Sequence, residues 1–188
     1  MYSESIVKER YFIAVVLPQD IRAEVGNFKK IISEKYHAHH AFKSPAHITL
    51  HMPFKWESTK EEELYQSLIE ITKGMKSFEL ALQNFGVFEP RVIFVDVAEN
   101  KFLRVLRDKV LVEMGKRQVY NGEYKNSGFQ PHITIAFRDL KKANFYEAWE
   151  TFKNQKYERK FSVSGITLLK HQSGHWDEMR TFQFMGTN

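Results

Sequence analysis

Two short strings in this chain are near copies of each other. Pro45-Ala46-His47-Ile48-Thr49-Leu50 and Gln130-Pro131-His132-Ile133-Thr134-Ile135 each place a histidine and a threonine two residues apart, with aliphatic residues between and after them. The two histidines are 85 positions apart. Side chains on a strand alternate between faces, so His and Thr share one face while Ile48, Leu50, Ile133 and Ile135 occupy the other. A face carrying His and Thr opposite an apolar face turns to water or a ligand while its reverse lies on a core. The fold therefore has to bury two such strands from one side only. With eight histidines among 188 residues, an accidental pair of these strings arises on the order of once in a thousand chains of this composition.

The surroundings of the two strings repeat as well. Residues 11–17 mix β-branched and aromatic side chains as a strand does. After Pro18, Ile21, Val25, Phe28 and Ile32 recur at helical spacing. A loop over residues 37–44 leads into the first motif strand, residues 46–52. Thr59 and Glu62 are spaced as a capping box, and Leu64, Leu68, Ile71 and Met75 form the stripe of the helix that follows. A strand over residues 78–85 closes the first half. The second half runs in the same order. A strand covers residues 92–97, and a helix over 100–114 has Leu103, Leu106, Val110 and Met114 on one side. A Gly/Asn-rich loop spans 119–128, and the second motif strand covers 130–137. A helix striped by Phe145, Trp149 and Phe152 follows, then a strand over 161–169. Residues 176–184 add a hairpin partner after the turn at Gln172-Ser173-Gly174. This order predicts an α+β fold of two lobes related by a pseudo-twofold, each an antiparallel sheet with flanking helices, its motif strand facing a central cleft. The reading is a single bilobal domain over 1–188, with sequence halves 1–88 and 89–188.

Composition narrows the chemistry. The hydrophobic content of 43%, with 16 Phe, 8 Tyr and 3 Trp, is enough for a packed core. There are no cysteines, which excludes thiolate nucleophiles, disulfides and Cys-ligated metal centres and leaves histidine as the reactive side chain. The early apolar run, residues 12–17, is too short for a signal peptide or a membrane span. It reads as a strand, and the expected location is cytoplasmic. The net charge of +5 suits a phosphate-bearing partner. The basic pairs Lys29-Lys30, Lys141-Lys142 and Arg159-Lys160 fall on different elements, however, so no continuous stripe for duplex nucleic acid is expected.

With its two His-x-Thr-hydrophobic motifs, the sequence resembles the 2H phosphoesterases, which include bacterial 2′,5′ RNA ligase-like proteins and cyclic nucleotide phosphodiesterases. Pro90-Arg91-Val92-Ile93-Phe94 is similar to that family's strand opening the second half. Pro131 stands directly before the second His, as is common there, and residues 168–184 are similar to its closing hairpin. The resemblance implies a phosphodiesterase that needs no metal or cofactor and hydrolyses a 2′,3′-cyclic phosphate or a related 2′,5′-linked nucleotide or RNA end. Reversal would give RNA ligase activity. Two imidazoles on opposite sides of phosphorus can take a proton from water and give one to the leaving ribose oxygen. Thr49 and Thr134 can donate to the nonbridging oxygens. His47 and His132 are thus the candidate catalytic pair, with either serving as base, and the rate profile is expected to be bell-shaped with limbs around pH 6–8. The expected partner is a nucleotide or RNA end carrying a cyclic phosphate, with no membrane and no extended duplex, and the chain is expected to be a monomer. Two rival readings remain at this point: a different phosphodiester such as a cyclic ADP-ribose phosphate, and a non-catalytic module that holds a nucleotide or RNA end.

Alternation along the strands adds His51 and Arg138 as candidate substrate contacts, two and four residues beyond Thr49 and Thr134. Trp56, Tyr124, Phe129 and Trp176 fall near the expected cleft edges, where an aromatic face can stack a base. In a chain this aromatic, packing is the weightier reading of each. His37, His39 and His40 read as a solvated loop rather than a zinc site, as do His171 and His175 at the last turn.

Overall fold

The computed structural model of the protein describes residues 7–121 and 128–186. The elements in order are β1 (Lys8–Val16), α1 (Gln19–Tyr36), β2 (His47–Glu57), α2 (Glu61–Thr72), β3 (Phe78–Phe88), β4 (Val92–Val97), α3 (Lys101–Lys116), β5 (His132–Ala136), α4 (Lys142–Phe152), β6 (Glu158–Val163), β7 (Gly165–Gln172) and β8 (His175–Gln183). Short 3₁₀ turns at His40–Lys43 and Ser58–Lys60 precede β2 and α2. The strands form two four-stranded antiparallel sheets, ordered β2-β1-β7-β8 and β5-β4-β3-β6. This is the expected α+β, two-lobed architecture, with each motif strand at one edge of its sheet and its opening strand beside it. No helix among the described residues is long and apolar enough to cross a membrane.

The sheets do not divide the chain at residue 88. The first sheet takes β1 and β2 together with β7 and β8, and the second is the unbroken stretch from β3 to β6. The single strand expected over 161–169 is in fact two strands in different sheets, parted at Ser164. Gly165 makes this switch possible, because a Cβ there would lie 2.5 Å from the Phe182 carbonyl oxygen. Glycine is what such a close approach of two backbones requires.

The helices bind the lobes together by crossing over. The helix α1 lies between two strands of the first sheet, yet it packs on the second, where Phe28 meets Phe85 and Tyr157 edge-on at 5.0 Å each. The hydroxyl of Tyr157 donates to Glu24 at 2.7 Å. In the reciprocal arrangement, α3 leaves the second sheet to pack against β2 and α2. Ile21, Val25 and Ile32 of α1 and Leu103, Leu106, Val110 and Met114 of α3 are consequently buried in one core running through both lobes.

The capping box of Thr59 and Glu62 does not form. Thr59 lies within the 3₁₀ turn, and α2 begins after Lys60 with no side-chain cap. Glu61, Glu62 and Glu63 fill its first turn instead, placing negative charge at the positive end of the helix dipole. Glu61 also accepts from the Tyr11 hydroxyl and from Lys170, tying α2 to the first sheet.

Candidate active site

The alternation expected of the motif strands is present. Ile48, Leu50, Ile133 and Ile135 are fully buried in the core, while His47, Thr49, His132 and Thr134 are half-buried on the opposite faces. The edge strands β2 and β5 are neighbours, although they belong to different sheets. His47 and His132 are close enough for charge on one to disfavour charge on the other.

Each histidine is held in the same way. The Nδ1–H of His47 donates to the Pro45 carbonyl at 2.7 Å, and that of His132 to the Gln130 carbonyl at 2.8 Å. In each case the acceptor is the residue two places earlier. A carbonyl can only accept, so Nδ1 carries the proton and the neutral ring presents its lone pair at Nε2. Aromatic packing repeats the pattern. Phe12 on β1 lies against His47 at 4.8 Å, and Phe94 on β4 lies against His132 at 5.1 Å, with interplanar angles of 48° and 51°. A second ring meets each phenylalanine: Trp176 backs Phe12 at 4.8 Å, and Phe88 meets Phe94 at 4.6 Å and also His132 itself, edge-on, at 4.9 Å. Gly86 leaves room for this second stack, since a Cβ there would meet Phe94 Cε2 at 2.5 Å.

The electrostatics are not symmetric. Burial pushes His47 down to about 4, the Pro45 carbonyl resists, and the charges of Lys29 and His132 push further in the same direction. His132 is also lowered by burial, but the Gln130 carbonyl and the Asp96 carboxylate oppose that shift. Asp96 is the cross-strand partner of His132 in the β4–β5 ladder. Both imidazoles are thus shifted downward from an unperturbed histidine, which favours their neutral forms.

Two supporting residues carry no motif that the sequence reveals. Lys29 on α1 is 5% exposed and donates to the carbonyls of Ala41 at 2.8 Å and Ser44 at 3.1 Å. It therefore holds the segment that delivers Pro45 and His47. Asp139, just past β5, accepts from the backbone N–H of His39 at 2.7 Å and of His40 at 2.8 Å. This ties the segment before the first motif to the one after the second. A lysine at an inward position of the α1 stripe is the only sequence signal for either.

His51 is not on the site face, and the strand alternation that carried Arg138 to it ends at Ala136. In the β1–β2 ladder Ile13 pairs with His51 while Ala14 pairs with Thr49, so β2 carries an extra residue there. That bulge reverses the alternation. His51 turns inward, 1% exposed, with Nδ1–H donating to the Met52 carbonyl at 2.8 Å. Strand β5 has a register shift between its pairings with Ile93 and Phe94 and ends at Ala136, itself buried. Arg138 follows in left-handed conformation with φ of 56°, exposed, its guanidinium over the Phe137 ring. Trp56 packs on the core and donates to the Lys60 carbonyl, and Phe129 packs on the core beneath Arg107. Tyr124 lies outside the described residues. Among the described residues, no three His, Asp or Glu side chains stand together as metal ligands would.

Two neighbouring edge strands, each presenting a histidine and a threonine on its half-buried face, make the candidate site, and comparison with known proteins gives the chain a family. The chain belongs to the 2′-5′ RNA ligase superfamily, whose model matches residues 17–175; these are 2H phosphoesterases. An RNA 2′,3′-cyclic phosphodiesterase of Thermotoga maritima is 24% identical over 131 residues, which cover 67% of this chain and 68% of that one. Escherichia coli LigT complexed with 3′-AMP has the same fold, with a TM-score of 0.71 at 20% identity, covering 95% of this chain and 99% of that one. A protein of Thermus thermophilus gives 0.67 at 19% identity, covering 95% and 100%.

Proposed function

We propose that the protein is a metal-independent phosphodiesterase that hydrolyses a 2′,3′-cyclic phosphate or a related 2′,5′-linked nucleotide at an RNA end. The observation that carries this reading is the matched pair of histidines, each with Nδ1–H bound to the carbonyl two residues earlier and Nε2 left to the cleft. A pure binding module has no need of two imidazoles poised as proton carriers. The asymmetry of charge favours one allocation of roles. His47, disfavoured as a cation by burial and by Lys29, is the base; its Nε2 takes a proton from water as the water oxygen forms a bond to phosphorus. His132, with Asp96 favouring its charged form, is the acid: it enters as the imidazolium, protonated at Nε2 as well as Nδ1, and gives the Nε2 proton to the ribose oxygen as the P–O bond breaks. Thr49 and Thr134 donate to the nonbridging oxygens, where charge accumulates. The products are a phosphomonoester and a free hydroxyl. With a ribose hydroxyl in place of water, the same attack opens the cyclic phosphate into a phosphodiester and frees the ribose hydroxyl on the leaving side.

Phosphorus NMR of the protein with a panel of cyclic phosphates and 2′,5′-linked dinucleotides tests the reading. The expected result is conversion of a cyclic or 2′,5′-linked resonance to a monoester, undiminished in excess chelator. Binding without product, or activity abolished by chelator, overturns it.

A further inference from the structure

The site face of the first sheet continues beyond His47 in a way that the second sheet does not repeat. The ring of Trp176 stands edge-on to Phe12, and His171 stands against Trp176 at 4.9 Å. The Arg10 guanidinium lies 5.7 Å from the centre of the Trp176 ring and within 3.0 Å of both nitrogens of His171. Beside this row is a cavity of about 330 Å³, with Phe42, Lys43 and Pro45 on one side and His175, Trp176 and Asp177 on the other. Glu178 reaches its rim but is ion-paired with Arg22. Phe42 is 46% exposed and gives the cavity wall an accessible aromatic ring.

The cavity joins the catalytic centre through two contacts. Pro45 lines it and also accepts the bond that orients His47. Trp176 lines it and also backs Phe12, which packs on His47. Aromatic faces interleaved with cations are what a single-stranded nucleic acid needs, because rings stack bases and cations meet the backbone phosphates. On the other flank, the cross-strand neighbour of His132 is the carboxylate Asp96; the cavity carries both Lys43 and Asp177, so its aromatic rings rather than its net charge favour a strand there.

We propose that this cavity is the subsite for the nucleotide on the 5′ side of the cyclic phosphate, with its base against Trp176 and Phe42 and its phosphate toward Lys43. The inference rests on the phosphodiesterase reading and narrows it: the substrate is the end of a single-stranded oligoribonucleotide rather than a free mononucleotide. Stacking of one base contributes roughly tenfold or more in affinity.

Two measurements test the subsite separately from the chemistry. Calorimetry gives Kd for a dinucleotide ending in a 3′-phosphate and for the matching mononucleotide 3′-phosphate. Steady-state kinetics gives kcat/KM for the corresponding 2′,3′-cyclic phosphates. The dinucleotide is expected to bind about tenfold or more tightly, and to be favoured to a similar degree in kcat/KM, chiefly through KM. In Phe42→Ala and Trp176→Leu both ratios are expected to fall toward one. A Kd ratio near one in the wild-type protein, or a ratio that neither variant changes, overturns the subsite. Absence of turnover on both cyclic substrates overturns the phosphodiesterase reading, while the Kd ratio still decides the subsite.

Discussion

Replacing His47 with asparagine should flatten the acid dependence of stability. In the folded protein His47 titrates at about 4, against 6.5 for a free imidazole, a displacement worth about 3.4 kcal/mol. Between these two values the unfolded chain holds a proton that the folded chain refuses, so stability falls as pH falls. The stabilising contribution is complete above pH 6.5 and is lost as pH drops through 4. From pH 7.5 to pH 5 the loss from this group alone is about 2 kcal/mol. That figure is an upper bound, since the ring is half-buried and the water at its rim screens part of the effect. Burial also lowers His132 and His51, which adds slope of the same sign to wild-type and variant alike, so it cancels in their difference. Urea unfolding of both proteins at pH 7.5 and pH 5.0 gives that difference directly. The wild-type protein should lose up to about 2 kcal/mol more than His47→Asn. Equal losses would mean that His47 is hydrated and titrates normally, and the assignment of His47 as a neutral base would fall with it.

Two further substitutions probe the support of the site. Lys29→Met removes a cation that disfavours charge on His47, so His47 should hold its proton to higher pH. The acid limb of kcat/KM should then move upward by under about one pH unit, because burial is the larger cause; a fall in kcat with the limb unmoved would make Lys29 a packing residue only. Gly86→Ala drives a methyl into the buried Phe94 ring, which packs on His132, and should cost about 1–3 kcal/mol of stability. It should also lower turnover more than a core variant matched in stability, and equal turnover in the two would show that His132 does not depend on that ring.

The motif strands were legible because alternation is a local rule: Ile48 and Leu50 are buried and His47 and Thr49 are not. The same rule failed two residues later at His51. A bulge opposite Ile13 and Ala14 is set by pairing with β1, and no residue of β2 announces it. The alternation does not extend to Arg138 for a related reason, since β5 ends at Ala136 and the chain then turns through a left-handed residue. The order of elements was read correctly as far as residue 160, beyond which one expected strand is two, and the sheets do not follow the sequence halves. Residues 161–169 alternate as one strand, and only Gly165 hinted at a second backbone near enough to divide them. Repetition in sequence suggested one half per lobe, whereas α1 and α3 exchange sheets because their apolar stripes fit the opposite core face. Lys29 and Asp139 act through backbone carbonyls and amides, which any sequence supplies, so their partners emerge only from the folded chain.

The central claim is that His47 and His132 act together on a cyclic phosphate. Turnover of a 2′,3′-cyclic phosphate by His47→Ala and His132→Ala, each verified as folded by circular dichroism, measures it most directly. The account predicts that each variant loses about 10²–10⁴-fold in kcat. Near-wild-type turnover in either folded variant would contradict the two-histidine mechanism.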